Sequence, residues 1–183
     1  RDELRAREEF KEGSELISWG WSQRDPLWRV QQEGFNPSEE TEVETRFTLG
    51  NGYLGIRGSS SIPIPSSRGD LFLAGVFDER AKKAILLHPS PVLREGLDEF
   101  SEIVIFPSVF YFRLKINGEP FIPGRWERGH EYRRYLSLDT GILSEVFLIR
   151  VDSLGTQLSI HTQRLVSAHH AHFLLQEIGR AHV

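Results

Sequence analysis

The last third of the chain is its most restrictive part. "YRRYLSLD", "GILSEVFLIRV", "TQLSIHTQRLVS" and "HAHFLLQ" follow one another, separated by Asp139-Thr140-Gly141, Asp152-Ser153-Leu154-Gly155 and Ala168-His169. Runs rich in β-branched and aromatic residues, broken by short turn-forming clusters, are strands of an antiparallel meander. In "TQLSIHTQ", Leu158 and Ile160 point one way while Gln157, Ser159 and His161 point the other, which suits a strand packed on one face and wet on the other.

The same signal extends backwards. "VETRFTL" alternates Val43, Thr45, Phe47 and Leu49 with polar neighbours and reads as a half-buried strand. "LFLAGVF" (71–77) reads as a buried strand. "IVIFPSVFYFRLKI" is dense in strand formers, breaks at Pro107, and is followed by Asn117-Gly118, a hairpin signal because both residues tolerate positive φ. No segment carries a helical stripe of useful length, although "GLDEFSEI" could hold a turn of helix. Many short strands with turn residues between them predict an all-β antiparallel sandwich built largely of meanders.

One motif competes with that reading. "GNGYLG" holds Gly50, Gly52 and Gly55 in the G-x-G-x-x-G spacing of dinucleotide-binding loops. That chemistry needs a helix after the glycines, whose N-terminus holds the pyrophosphate. "IRGSSSIPIP" cannot propagate a helix, and no Lys-Ser or Lys-Thr follows to make a P-loop. The stretch reads instead as a tight turn at Gly50-Asn51-Gly52, with Tyr53, Leu54 and Ile56 buried as the chain re-enters the sheet. Gly55 and Gly58 would allow a close backbone approach or a bulge. Arg57, opposite Ile56, is placed to pair with a carboxylate.

Other candidate chemistry is weaker. His169, His170 and His172 in "SAHHAHF" suggest metal, but no matched carboxylate or H-E-x-x-H frames them, and they read as polar-face residues near a strand end. Glu39, Glu40, Glu42, Glu44, Asp98, Glu99 and Glu102 lie in charge runs typical of solvated loops, and none is selected as a glycosidase acid or base. There is no nucleophile elbow. Trp19, Trp21, Trp28, Trp126 and Tyr132 could stack on sugar rings, but core or interface packing is the preferred reading.

Composition removes whole classes. With 183 residues, 39% hydrophobic, and a formal net charge of −4, the chain is a mildly acidic single-domain size with no basic excess to draw it to nucleic acid. No long apolar run suits a membrane helix, and the charged start has no secretory h-region. Cysteine is absent, so neither disulfides nor thiolate-held zinc apply, which fits a reducing cytoplasm.

The ends carry their own expectations. Residues 1–18 read as a charged lead-in, tail or helix, and a chain without Met is not expected to begin at its native start. Residues 178–183 (Ile-Gly-Arg-Ala-His-Val) can be written codon for codon as a common short-read sequencing adapter followed by a stop. They are expected to be adapter-derived, with a β-domain over 19–177 that continues past Glu177 in the parent.

Two separated motifs then point to a family. "ETRFTLGNGYLGIRG" resembles the signature of the N-terminal domain of glycoside hydrolase family 65, with Glu44, Phe47, Gly50, Asn51, Gly52, Tyr53, Gly55, Arg57 and Gly58 in place. The later run "YRRYLSLDTGILSEVFLIRVDSLGTQLSIHTQRLVS" is similar to the family's second block through Arg134, Leu138, Asp139, Gly141, Leu143, Gly155, Arg164, Val166 and Ser167. The resemblance spans roughly Trp28 to Gln176. It departs before Trp19 and in the Ser/Pro-rich loop at Ser59–Arg68, which replaces an often acidic segment.

The resemblance implies a super-sandwich of galactose-mutarotase type that packs on an (α/α)6 catalytic barrel absent from these residues. For the parent it implies inverting cleavage of α-glucosidic disaccharides of the maltose, trehalose or kojibiose type. The general acid would be a barrel Glu, and the co-substrate phosphate or water. It implies a homodimer, no cofactor, and a loop of this domain lent near the active-site mouth; the motif residues named above read as structural, the "GNGYLGIRG" turn being either that loop or, as preferred, a corner. A free-standing carbohydrate-binding or purely structural sandwich is the alternative.

Overall fold

The computed structural model describes residues 28–81, 99–152 and 156–182. In chain order the elements are β1 (Arg29–Glu33), α1 (Glu40–Arg46), β2 (Leu49–Gly50), β3 (Leu54–Ile56), β4 (Leu71–Leu73), β5 (Phe77–Ala81), β6 (Glu99–Ile103), β7 (Lys115–Ile116), β8 (Glu119–Pro120), β9 (His130–Ser137), β10 (Ile142–Arg150), β11 (Gln157–Val166) and β12 (Leu174–His182). The architecture is an all-β antiparallel sandwich. One layer is a five-stranded sheet in the order β1-β9-β10-β11-β12. Opposite it lie the small sheet β2-β3-β4, the loop from Gly58 to Ile64, and the segment from Phe110 to Phe121, which closes through the β7–β8 hairpin.

The meander expected over the last third is the backbone of the main sheet. Each neighbouring pair is antiparallel and in register, Phe147 sitting between Tyr132 and Ile160, and Leu143 between Leu136 and Arg164. Alternation places Leu143, Glu145, Phe147 and Ile149 of β10 on the covered face, together with Leu158, Ile160, Thr162 and Arg164 of β11. Burying each of the large apolar side chains contributes about 1.5–3 kcal/mol, set against the entropy of ordering it. The turn between β9 and β10 uses Gly141 at φ 66°, and its amide bonds back to the Ser137 carbonyl. Asn117 and Gly118 have φ of 52° and 87°, the left-handed pair that a tight hairpin between right-twisted strands demands. The strand β12 pairs with β11 from Val166↔Leu174 to Leu158↔His182, so its described part runs through Ile178–His182.

The interior is divided. One apolar cluster gathers Ile62, Ile116, Phe121, Tyr132, Phe147, Ile149, Leu158 and Ile160. A second gathers Val43, Phe47, Leu49, Ile56, Phe110, Leu136 and Leu143. The cross-strand row between them is Arg134–Glu145–Thr162, all with 0% exposure. A polar seam therefore runs through the core.

Several expectations are corrected. Val43 to Arg46 lies in α1, a helix, and not in a strand: Glu40, Val43 and Glu44 recur at the i, i+3, i+4 spacing of one buried helical face. The expected strand 71–77 is two strands, β4 and β5, broken at Ala74-Gly75, where Gly75 takes φ 79°. Of "GLDEFSEI", the part from Glu99 onward is strand β6 and not helix. Most of 104–114 is irregular, with an isolated backbone bridge to a strand at Leu71↔Phe106. Tyr53 is exposed, not buried. His161, expected on the wet face, is buried against the sheet. Asp98, Trp19 and Trp21 lie outside the described residues, as does the 1–18 lead-in.

Candidate functional site

The glycine corner and the polar seam meet in one structure. Leu49 and Gly50 of β2 pair with Ile56 and Gly55 of β3, and Gly52 turns the chain at φ 87°. Asn51 organises this turn with its whole side chain. Its Oδ1 accepts the Tyr53 and Leu54 amides at 3.0 and 2.8 Å, and its Nδ2 donates to the carbonyls of Ser167 and Ala171 at 2.7 and 3.0 Å. The corner is thereby clamped to the loop joining β11 and β12. Tyr53 meets His172 edge to face, with centroids 4.4 Å apart. Ser167 shapes that loop, its Oγ accepting the His170 amide at 3.0 Å.

After the corner, Gly58 passes against α1. A Cβ there would sit 2.2 Å from the Phe47 Cβ and 2.5 Å from its carbonyl oxygen, so only glycine fits. The Gly58 amide donates to the Glu44 carbonyl at 3.0 Å, and Arg57 pairs with the Glu44 carboxylate at 3.0 Å. Gly55 is less demanding: its added Cβ would make ordinary contact with Phe72 at 3.8 Å.

From Gly58 the loop enters the seam, where four consecutive residues are held. Arg134 donates through Nη1 to the Gly58 carbonyl, through Nη2 to both Glu40 oxygens at 2.7 and 2.8 Å, and through Nε to the Tyr132 hydroxyl at 2.6 Å. The Ser59 carbonyl accepts from Arg164 Nη2 at 2.7 Å, and the Ser59 hydroxyl donates to Asp70. Ser60 donates its amide to Glu40 at 2.9 Å. Ser61 donates both its amide, at 3.0 Å, and its hydroxyl to Glu145 Oε2. The same oxygen accepts from Arg164 Nη2 at 2.9 Å and from Thr162 at 3.2 Å, while Oε1 accepts from the Tyr132 hydroxyl at 2.6 Å.

The electrostatics follow from enclosure. Burial alone would raise the Glu145 carboxyl, but Arg164 and Arg134 outweigh it and hold the group below the ordinary carboxylate value. Glu40 goes the other way: burial raises it, and Arg134 only partly offsets this. Burial also raises Asp70, despite the Ser59 and Ser108 hydroxyls that face it. The Tyr132 hydroxyl is raised well above its usual value by burial and by the neighbouring Glu145 charge. Burial would lower the Arg134 guanidinium, but Tyr132, Glu145 and Glu40 reverse that and raise it, so it stays charged. Two guanidiniums thus face two carboxylates in a connected chain of donors and acceptors. Each carboxylate oxygen of Glu40 and Glu145 already accepts at least one bond, and neither residue opens to solvent. Chemically this arrangement can fix a loop, with Arg164 Nε and Nη1 left buried and without a hydrogen-bond partner among the described residues.

The remaining motif residues sit at turns. Asp139 accepts from the Ser137 hydroxyl at 2.5 Å in the β9–β10 turn beside Gly141. The histidines His169, His170 and His172 are exposed on the β11–β12 loop, and no metal-holding group of three or more acidic, His or Cys residues occurs among the described residues. Trp126 packs edge-on against Phe121 and bonds the Arg150 carbonyl at 2.9 Å; Tyr132 is inside the seam; Trp28 is exposed. Glu42 pairs with Arg46 on the surface of α1. The structure therefore gathers Glu44, Phe47, Arg57, Gly58, Arg134 and Arg164 around one loop, and Asn51, Tyr53 and Ser167 at the corner beside it.

Sequence reasoning missed the rest of the seam around those arginines: Glu40, Glu145 and Tyr132, with Thr162 and Ser59–Ser61 bonded to them or to the arginines. A signal did exist. Glu145 shares its strand parity with Leu143, Phe147 and Ile149, and Arg134 shares its parity with Leu136. A charged residue in an apolar register needs a buried counter-charge.

Residues 30–179 match the family described as glycosyl hydrolase family 65, N-terminal domain. The kojibiose phosphorylase of Caldanaerobacter subterraneus subsp. tengcongensis is 29% identical over 148 residues, covering 81% of this chain and 17% of that protein. The kojibiose phosphorylase of Thermoanaerobacter brockii is 28% identical over 148 residues, with the same coverage of 81% and 17%. A solved structure named as a candidate kojibiose phosphorylase from the human microbiome shares the fold. Its TM-score is 0.70 at 19% identity, over 87% of this chain and 20% of that one. The chain spans about a sixth to a fifth of the length of these relatives. By its matched domain, this chain belongs to glycosyl hydrolase family 65.

Proposed function

We propose that this chain is the non-catalytic N-terminal sandwich of an inverting enzyme that cleaves α-glucosidic disaccharides, and that the parent is a phosphorylase. The observation that carries this reading is the buried seam. The interior carboxylates Glu40 and Glu145 are held by Arg134, Arg164, Tyr132 and loop donors, so neither of them is free to act as the acid. The shared family and the phosphorylase relatives support the substrate class. On this reading a Glu of the (α/α)6 barrel, outside these residues, protonates the glycosidic oxygen. Inorganic phosphate attacks the anomeric carbon from the opposite face, releasing β-glucose 1-phosphate. No cofactor is needed; the partners are the barrel, the disaccharide and, in the intact enzyme, a second subunit. The compartment is the cytoplasm.

The test is to express the parent polypeptide extended beyond residue 183 and to incubate it with kojibiose, maltose and trehalose, each with and without phosphate. The expected result is phosphate-dependent β-glucose 1-phosphate from one of them. Hydrolysis independent of phosphate would make the parent a hydrolase, and no turnover of any would overturn the reading.

A further inference from the structure

The chain holds three asparagines, and two of them, Asn51 and Asn117, are followed by glycine. The third, Asn36, precedes Pro37, whose nitrogen carries no hydrogen. An Asn-Gly pair lets a backbone nitrogen reach the preceding side-chain carbonyl, because glycine has no Cβ to shield that nitrogen or restrict its approach. The two pairs differ in how the carboxamide is held. At Asn51, Oδ1 accepts the Tyr53 and Leu54 amides and Nδ2 donates to the Ser167 and Ala171 carbonyls. Swinging that carboxamide onto the Gly52 nitrogen breaks all four bonds and detaches the corner from the β11–β12 loop.

Asn117 is in the opposite situation. It sits at the tip of the β7–β8 hairpin, where residues 117–120 are all exposed, and no described residue bonds its carboxamide. The hairpin has only the pairs Lys115↔Pro120 and Ile116↔Glu119, extended by the Phe121 amide on the Leu114 carbonyl at 2.9 Å. A two-stranded ribbon this short opens locally at small cost. Ile116 and Phe121 remain anchored in the core cluster beneath, so the opening is confined to the tip.

We propose that Asn117 is a site of spontaneous deamidation, a modification that Asn51 resists; the inference is independent of the activity assigned above. The Gly118 amide gives its proton to hydroxide, and its nitrogen attacks Asn117 Cγ. The N–Cγ bond forms, the Cγ–Nδ2 bond breaks, and the departing nitrogen takes up a proton from water and leaves as ammonia. The resulting succinimide adds one water. Opening at Cγ gives aspartate, and opening at the main-chain carbonyl gives isoaspartate, whose chain runs through the former side chain. Either product adds one negative charge to a chain of formal net charge −4. Isoaspartate also lengthens the main chain by one carbon inside a two-residue turn, which disrupts the Ile116↔Glu119 pairing and loosens the hairpin over its core cluster.

The test is incubation of the chain in mildly alkaline buffer, under conditions where it melts cooperatively, followed by brief tryptic digestion and mass spectrometry. Cleavage after Lys and Arg places Asn117 in the peptide 116–125 and Asn51 in the peptide 47–57. The expected result is a gain of one mass unit in 116–125, in two chromatographically distinct products, at least ~10-fold faster than in 47–57, because local opening frees only the hairpin tip. In denaturant, where both pairs lie in open chain, the two rates should come together. Asn117→Gly keeps a turn-compatible Gly-Gly pair and should remove the acidic species that the ageing chain accumulates on isoelectric focusing. Equal rates in the folded chain, no mass gain in 116–125, or acidic species that persist in Asn117→Gly would overturn the proposal.

Discussion

Replacing Arg134 with Met removes the centre of the seam while roughly preserving its volume. The side chain has 0% exposure and holds Glu40, the Gly58 carbonyl and the Tyr132 hydroxyl at once. Breaking one side of a buried pair costs about 3–5 kcal/mol, because the abandoned charge stays in a low dielectric. For a domain of this size that is a fall in Tm of roughly 6–20 °C. Glu40 limits the loss. Burial already raises its carboxyl pKa with Arg134 present, and without the guanidinium it rises further. A carboxyl whose folded pKa is raised takes up a proton on folding. Its penalty is absent below the unfolded value and grows as pH rises through the folded one. The deficit of Arg134→Met relative to wild type should therefore widen with rising pH and narrow toward pH 5. Adding Glu40→Leu should recover a large part of the loss, with a coupling of about 1–3 kcal/mol in the double-mutant cycle. Thermal melts and chemical denaturation at several pH values measure all of this. A Tm within 2 °C of wild type at pH 7, with additive single effects, would refute the idea that the seam is a charge-coupled unit.

Further outcomes follow from other parts of the lock. Gly58→Ala drives a Cβ into the Phe47 backbone and should cost about 1–3 kcal/mol, read by urea denaturation; a neutral result would mean that α1 shifts freely. Asn51→Ala severs two bonds to the β11–β12 loop and two inside the corner, so it should destabilise by about 1–3 kcal/mol and speed amide exchange across 167–173. Glu145 has a lowered folded pKa, so its contribution is present above the ordinary value of 4.5 and disappears as pH falls through the lower folded one. Glu145→Gln should be destabilised at pH 7 yet show a shallower acid limb below about pH 4.5 in thermal melts, and an unchanged acid limb would count against the assigned charge state.

The main sheet was legible because period-2 alternation and turn residues agree over long strands: Leu158 and Ile160 lie on the covered face as their parity requires. The Asn117-Gly118 hairpin was legible for a local reason, since its φ values exclude most other residue pairs. The helix α1 was not. Val43 and Phe47 are four apart and fit period 2 and period 3.6 equally. Only the inward turn of Glu40 and Glu44 breaks the tie, and it depends on arginines distant in sequence. The stretch 104–114 misled through composition: its apolar residues fill the core as irregular chain, Phe110 lying against Arg164 and the Phe112 amide bonding the Ser61 carbonyl. The seam was half legible. Its arginines stood out as motif positions, but a glutamate reads as solvent-facing until tertiary structure supplies its counter-charge.

Incubating the 183-residue chain alone with kojibiose, maltose and trehalose in phosphate buffer, at enzyme concentrations high enough to detect a single turnover, addresses the assignment of the chemistry to another domain. The account predicts no glucose 1-phosphate and no free glucose above a buffer control. Catalytic turnover that persists through repurification, and that Glu145→Gln abolishes, would contradict it.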